Sequence, residues 1–187
     1  MPILRTLLGG SAGSGKSTTL KTIVQHIRLI FQKAGIDATV ELTAYTGAAA
    51  FYIRFGAQTA CTSFHVFPNA AWKNELEGEA FRKLERQWRT VVILVVDAVS
   101  FIGRAFFANM HFRLQQAKRR FFSEAALDPH DYTFGNISII LVGDFGQLEP
   151  IDDWSMCDTE ANKETCRKGS ASPLEIRPAG HILDPDF

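Results

Sequence analysis

The sequence predicts an α/β fold in which a mostly parallel central sheet lies between two layers of helices. Short apolar runs rich in β-branched residues alternate with segments of helical spacing along the 187 residues. Two of these runs, 90–96 and 137–142, are apolar at almost every position, which is typical of parallel strands covered on both faces. Ligands of such sheets bind beyond the carboxyl ends of the strands.

The first predicted elements are a strand, a glycine-rich loop and a helix. The apolar run 3–8 predicts the strand, and the loop begins at Gly10. A helix is expected to follow Lys16 and to stop at Gly35. Its apolar positions at helical spacing are Leu20, Ile23, Val24, Ile27 and Phe31.

The rest of the chain continues this alternation. The β-branched segment 38–44 predicts a second strand, which we expect to return beside the first. A second helix is expected to begin near Gly47. The two most apolar runs follow later, and each ends in an aspartate, Asp97 or Asp144. These carboxylates are therefore expected at the ligand-binding edge of the sheet.

Length and composition favour one compact domain, which we place at residues 1–151, with 46% of the chain hydrophobic. Residues 152–187 contain eight acidic and four basic side chains without a periodic apolar face, so we expect a polar acidic tail. The formal net charge is zero, so any nucleic-acid binding must come from a local patch. No apolar run reaches the length of a membrane span, and we expect an intracellular protein without a membrane partner.

Cysteine and histidine spacing argues against a disulfide framework and against a zinc site. The three cysteines, Cys61, Cys157 and Cys166, form no C-x-x-C pair. The five histidines form no H-E-x-x-H motif.

The loop after the first strand matches the phosphate-binding pattern G-x-x-x-x-G-K-[ST] in full. Its glycines let backbone N–H groups surround a phosphate, Lys16 would reach the β- and γ-phosphates, and the Ser17 hydroxyl would ligate Mg²⁺. A glycine-rich turn without a ligand is the alternative. The dinucleotide pattern fails because Thr18 occupies its third glycine position. The predicted nucleotide-binding residues are Gly10, Ser11, Ala12, Gly13, Ser14, Gly15, Lys16, Ser17 and Thr18.

Two further residues are candidates for nucleotide chemistry. Asp97 follows a buried strand, as does the carboxylate that holds Mg²⁺ in phosphate-loop enzymes. Gln147 follows the last predicted strand, where an amide could sense the γ-phosphate or orient water. Taken by itself, Gln147 is better explained as part of a polar turn.

Five blocks in order resemble the first motor domain of superfamily-one DNA helicases of the Pif and RecD type, over about residues 3–151. The blocks are GGSAGSGKSTTL, TAYTGAAA, TACTSFHVF, VVDAVSFI and LVGDFGQLEP. The resemblance implies a three-layer RecA-like phosphate-loop NTPase domain that uses ATP and Mg²⁺. It also implies translocation on single-stranded DNA and duplex unwinding in genome maintenance, including repair, recombination and telomere maintenance, in the nucleus, mitochondrion or bacterial cytoplasm.

The resemblance also assigns roles to individual residues. It makes Lys16, Asp97 and Gln147 the catalytic residues and Ser17 with Asp97 the Mg²⁺ ligands. The positions that it places near the DNA are Thr43, Thr46, Gly47, Thr59 and Phe64. An aromatic ring can stack on a base, but Phe64 and Tyr45 could equally pack in the core. The basic stretch 82–120 could line the path of the strand or form a solvated helical face.

Two departures from the family pattern bear on activity. The family has a glutamate as general base directly after the metal-binding aspartate, and Ala98 occupies that position here. General-base catalysis contributes about 10²–10⁴-fold. The second motor domain with its arginine finger is not in this sequence, and we expect it to be supplied by another polypeptide. The chain alone is therefore expected to be an incomplete or inactive helicase. The alternatives are a non-hydrolysing module that binds nucleotide and single-stranded DNA, or a degenerate relic.

Overall fold

The computed structural model describes residues 3–66, 75–121, 129–146, Leu148, Pro150 and 153–156. These belong to one compact unit, Met1–Met156. The rest of the predicted acidic tail lies outside the described residues. The strands are β1 (Arg5–Gly9), β2 (Thr39–Ala44), β3 (Gln58–Thr59), β4 (Val91–Asp97) and β5 (Ser138–Gly143). The α-helices are α1 (Lys16–Ala34), α2 (Gly47–Ile53), α3 (Ala60–Phe64), α4 (Gly78–Trp88) and α5 (Arg104–Lys118).

The strands form one parallel sheet in the order β1-β5-β4-β2-β3. The predicted α/β class with a parallel central sheet is confirmed. The expectation that the second strand returns beside the first is wrong, because β5 and β4 lie between β1 and β2. The central positions go to the two most apolar strands, since only a central strand is covered by helices on both faces and by neighbours on both edges.

Helix α1 shows why local sequence specified its bounds so well. Leu20 and Val24 are fully buried on its inner face. Gly35 ends the helix in the left-handed conformation with φ 62°, and its N–H bonds to the carbonyls of Phe31 and Gln32. Glycine adopts this conformation without the steric cost that a Cβ imposes.

Helices cover both faces of the sheet and form two hydrophobic clusters. The first cluster contains residues of α1 and α2 with one face of β2, β4 and β5. The second contains residues of α3, α4 and α5 with the opposite face. In the second cluster Phe64 stacks on Trp88 at a centroid distance of 5.0 Å, and the Trp88 indole donates a hydrogen bond of 3.0 Å to the Ser63 carbonyl.

Helix α5 carries two cations on its buried stripe. Residues 110, 113, 114, 117 and 118 are buried at the i, i+3, i+4 spacing of one helix face. Lys118 donates hydrogen bonds to the carbonyls of Arg89 (3.1 Å) and Val91 (2.8 Å), and so joins α5 to the beginning of β4. No helix among the described residues is long and apolar enough to cross a membrane.

Candidate nucleotide-binding site

The strand register places the predicted motifs at one edge of the sheet. Gly9 of β1 pairs with Gly143 of β5, and Val142 of β5 pairs with Asp97 of β4. Asp97 in turn pairs with Ala44 of β2. The phosphate loop, the predicted metal carboxylate and the TAYTGAAA block therefore leave the sheet side by side, at the carboxyl edge where such folds bind ligands.

The phosphate loop adopts a backbone that its glycines make possible. Gly13 and Gly15 have φ values of 78° and 86°, in the left-handed region that disfavours other residues. A Cβ at Gly10 would lie 2.7 Å from the Ser14 hydroxyl oxygen, so a side chain there would require that hydroxyl to move. The loop ends at Gly15, and α1 begins at Lys16 with its first N–H groups directed toward the loop.

The side chain of Lys16, the first residue of α1, folds back onto the phosphate loop. Its ammonium group donates hydrogen bonds to the Gly10 carbonyl and, at 2.8 Å, to the Ser11 carbonyl. Ser17 is exposed in the first turn of α1. An ammonium group and an exposed hydroxyl at a helix N-terminus suit a phosphate with its cation.

Asp97 lies at the end of β4 in a poorly hydrated position. Burial raises the pKa of its carboxyl group, and the Ala98 N–H and the positive charge of Lys16 partly oppose this rise. The electrostatic interaction between Asp97 and Lys16 shows that the end of β4 and the phosphate loop lie close together. The described residues contain no group of three or more His, Cys, Asp or Glu side chains placed to hold a metal ion. One carboxylate and one hydroxyl nevertheless fit Mg²⁺, which in nucleotide sites takes most of its ligands from phosphates and water.

Ala98 occupies a strained position directly after Asp97. Its φ of 58° and ψ of 41° lie in the left-handed region, which costs an L-residue roughly 1–2 kcal/mol. Residues 99–101 then form one 3₁₀ turn, and the amide of Phe101 bonds to the Ala98 carbonyl at 3.1 Å. The methyl group of Ala98 can neither accept nor donate a proton.

The loop after β5 is described only in part. The Asp144 carboxylate accepts a hydrogen bond of 3.0 Å from the Gly146 N–H, which forms a tight polar turn. Gln147, the predicted sensor, lies outside the described residues. Its role stays a prediction.

Three of the five residues predicted to contact DNA reach the surface or its margin at this edge. Thr46 and Gly47 are exposed and Thr59 is half-buried. Thr46 is the N-cap of α2, since its hydroxyl accepts a hydrogen bond of 3.2 Å from the Ala49 N–H. Thr59 caps α3 in the same way through the Thr62 N–H.

The other two predicted DNA contacts need correction because the structure places them in the interior. Thr43 is fully buried, and its hydroxyl donates a hydrogen bond of 3.2 Å to the Val95 carbonyl. Phe64 is also fully buried, since its ring stacks on Trp88. Tyr45 is half-buried and packs edge-on against Phe106 at 5.6 Å. The core role that was the alternative for Phe64 is therefore the one that its environment supports.

The basic stretch 82–120 is not a uniform surface. Arg82 and Arg86 are exposed on α4, and Arg120 forms a salt bridge of 3.2 Å with Glu85. Arg113 and Lys118 are buried. The stretch therefore divides into a solvated helical face and a structural interior.

One residue that the sequence analysis missed contacts the helix that follows β4. The Asp153 carboxylate accepts hydrogen bonds from the backbone N–H groups of Ala105 (3.1 Å) and Phe106 (3.2 Å). It thereby caps the N-terminus of α5, whose own N-cap residue, Gly103, has no side chain. The cap comes from about 50 residues further along the chain, so no local signal marked it.

Comparison with known proteins supplies the family. A family model described as PIF1-like helicase matches residues 5–164. The chain belongs to this PIF1-like helicase family. It is 30% identical over 148 residues to the ATP-dependent DNA helicase RRM3 of Saccharomyces cerevisiae, covering 76% of this chain and 18% of that protein. It is 30% identical over 145 residues to the ATP-dependent DNA helicase PIF3 of Trypanosoma brucei, covering 78% of this chain and 15% of that protein.

Solved structures of the PIF1-like family share the fold. The crystal structure of Pif1 helicase from Candida albicans superposes with a TM-score of 0.59 and 25% identity, covering 87% of this chain and 34% of that one. Bacteroides Pif1 bound to ssDNA superposes with a TM-score of 0.54 and 20% identity, covering 90% of this chain and 34% of that one. The helicase resemblance of the five blocks is confirmed. The chain spans less than a fifth of the curated relatives it matches.

Proposed function

We propose that this chain is the ATP-binding first motor domain of a PIF1-like DNA helicase. The observation that carries the proposal is the convergence of the phosphate loop, Lys16 and Asp97 at the carboxyl edge of one parallel sheet. The family relatives that carry the helicase name support the choice of nucleotide.

In the proposed mechanism the loop N–H groups and Lys16 bind the β- and γ-phosphates, and Ser17 and Asp97 hold Mg²⁺. When bound, the cation neutralises charge on the phosphates. Lys16 must exchange its bonds to the loop carbonyls for bonds to phosphate oxygens, which are stronger acceptors because they are charged. Gln147 is proposed to contact the γ-phosphate.

Binding of a fluorescent ATP analogue with Mg²⁺, followed by anisotropy, tests this proposal. Saturable binding is expected for the chain, and Lys16→Ala should weaken it by roughly 10-fold or more, because a charged hydrogen bond contributes about 1.5–3 kcal/mol. Lys33→Ala is the matched control, since Lys33 is exposed at the other end of the same helix. Equal affinities of the chain and Lys16→Ala would contradict the proposal.

Single-stranded DNA is the proposed second ligand, bound along the edge that carries Thr46, Gly47 and Thr59. Their exposure beside the nucleotide site supports this location, and backbone and hydroxyl groups of this kind contact phosphates. A labelled oligo-dT should bind with an affinity that falls as salt rises. Absence of binding at low salt would contradict this part of the proposal and leave ATP binding intact.

Ala98 favours a second candidate, a module that binds ATP without hydrolysing it. For this candidate the isolated chain is expected to show no ATP hydrolysis above background, and Ala98→Glu alone should not restore turnover without a second motor domain supplied in trans. With that domain added, Ala98→Glu is expected to raise the rate by about 10²-fold or more. Equal rates for Ala98 and Ala98→Glu under those conditions would show that this position does not limit turnover.

A further inference from the structure

The segment 153–155 is tied to the first turn of α5 by a set of hydrogen bonds that we term the Asp153 clamp. Besides the two amide bonds that Asp153 accepts, the Arg104 N–H donates to the Trp154 carbonyl at 2.9 Å. The Arg104 guanidinium donates to the Ser155 carbonyl at 3.0 Å, and Ser155 pairs with Gly103 in an antiparallel bridge. The clamp therefore fixes both the backbone and a side chain at the beginning of this helix.

Gly103 is required by this arrangement. A Cβ at this position would lie 2.1 Å from a carboxylate oxygen of Asp153. The helix thus gives up a side-chain cap of its own and takes its cap from Asp153. Capping side chains typically stabilise a helix by about 1 kcal/mol.

The clamped helix is connected to Asp97 by a short turn with little freedom. Ala98 and the 3₁₀ turn 99–101 are followed by Ile102, which is fully buried and whose N–H bonds to the Val99 carbonyl at 3.0 Å. On the other side of the turn, a Cβ at Gly143 would lie 2.8 Å from the Val99 side chain. The turn is therefore held between the end of β5 and the clamp.

Ala98 depends on the contacts that hold this turn, because its backbone conformation is strained. A residue in an unfavourable backbone conformation keeps it only when the surrounding structure over-determines it. If the start of α5 were released, the turn could relax, and the carboxylate one residue before Ala98 would change its orientation.

We propose that Asp153 is a positioning residue for Asp97: its clamp on α5 holds the turn after β4 so that the Asp97 carboxylate is oriented to receive Mg²⁺. This inference rests on the proposed nucleotide function. In this proposal Asp153 acts through the backbone N–H groups at the beginning of α5 and not as a ligand of the nucleotide or metal.

The test separates the magnesium-dependent part of nucleotide affinity from the rest. The dissociation constant of a fluorescent ATP analogue is measured with Mg²⁺ and with EDTA, and the ratio of the two gives the magnesium enhancement. Asp153→Ala should lower this enhancement about 10-fold, as is typical when a residue that supports a metal ligand is removed. The affinity in EDTA, which depends on the phosphate loop and Lys16, should stay within about twofold of the wild type.

Further variants make the result specific. Asp153→Asn keeps an acceptor oxygen for the helix N–H groups and should recover most of the enhancement. Gly103→Ala, whose methyl group would displace Asp153, should lower the enhancement as Asp153→Ala does. Asp37→Ala removes an exposed carboxylate from the loop between α1 and β2 and should change nothing.

An unchanged enhancement in Asp153→Ala, or an equal loss of affinity with Mg²⁺ and with EDTA, would overturn the inference and leave Asp153 a purely structural cap. If Asp153→Ala fails to melt cooperatively, an enhancement in Gly103→Ala equal to that of the wild type overturns it in the same way. A wild-type chain that binds in both buffers without magnesium enhancement also overturns it, while ATP binding stands. Failure of the wild type to bind in either buffer would instead refute the proposed function.

Discussion

The two ends of β4 each hold an ionisable side chain in a poorly hydrated place, but they treat it differently. At the amino end, the ammonium group of Lys118 from α5 donates hydrogen bonds to two backbone carbonyls, and burial lowers its pKa to about 8. At the carboxyl end, burial raises the pKa of Asp97, and the next residue, Ala98, has a strained backbone. Burial disfavours the charged form at both ends, but two carbonyl hydrogen bonds partly offset this cost for Lys118. Asp97 has no such pair of bonds from the described residues and lies where the proposed nucleotide would bind. Such local conflicts are typical of functional sites.

The largest expected change in stability concerns Lys118, at the amino end of β4. Lys118→Ala should lower the free energy of unfolding by about 3 kcal/mol, because it leaves a cavity and two carbonyls without their donor. Lys118→Met, which keeps most of the apolar stem, should lose less. Chemical denaturation measures both, with the exposed Lys83→Ala as the control that stays within about 0.5 kcal/mol of wild type. A loss in Lys118→Ala as small as in Lys83→Ala would mean that the amino end does not depend on this lysine.

The pH dependence of stability should identify the same lysine. The pKa of Lys118 falls from 10.5 to about 8 on folding, so between these values the unfolded chain binds more protons than the folded one. The free energy of unfolding should therefore rise with pH in this window, by up to about 1.4 kcal/mol per pH unit. Lys118→Met should lack this component. Parallel curves for the two proteins between pH 8 and 10 would contradict the prediction.

Asp97→Asn should raise the free energy of unfolding, although it removes a charged side chain from the site. Because folding raises the pKa of Asp97, the free energy of unfolding falls as the pH rises above the unfolded pKa, and the full cost is reached above the raised pKa of the folded state. At pH 7 the variant should therefore unfold at a higher denaturant concentration than wild type, and this advantage should vanish below the unfolded pKa of 3.8. The same variant should lose the magnesium enhancement of nucleotide affinity. Asp37→Asn, at an exposed site, is the control and should show neither effect.

The smallest expected effect concerns the strained residue itself. Ala98→Gly should stabilise the chain by about 0.5 kcal/mol, since relief of the left-handed strain exceeds the entropic cost of glycine by a small margin. Thermal melting without nucleotide measures it. A matched change at Ala108, in the interior of helix α5, should destabilise instead. Destabilisation by Ala98→Gly would show that the turn after β4 does not store strain.

Much of the carboxyl edge could be predicted from short stretches of sequence. Gly13, Gly15 and Lys16 predict a phosphate loop because the backbone conformation and the lysine that such a loop needs lie within a few consecutive residues. Residues of α1 and the two central strands were found from periodicity and β-branched content for the same reason. The environment of Thr43 and Phe64 could not be read in this way, because a hydroxyl or a ring in a motif can face either the core or the surface.

The sequence by itself determined four strands (β1, β2, β4 and β5), helix α1, the beginning of α2, the phosphate-loop motif and the family, since backbone preferences and motif chemistry act over a few residues. It did not predict β3, α3, α4 or α5 individually. Only the tertiary structure decided that β5 and β4 separate β1 from β2, that Lys118 supports the beginning of β4, and that Asp153 caps α5. These contacts join residues far apart along the chain, such as Gly9 and Gly143. Their formation depends on the packing free energy of the whole sheet and its two helix layers, which no local segment encodes.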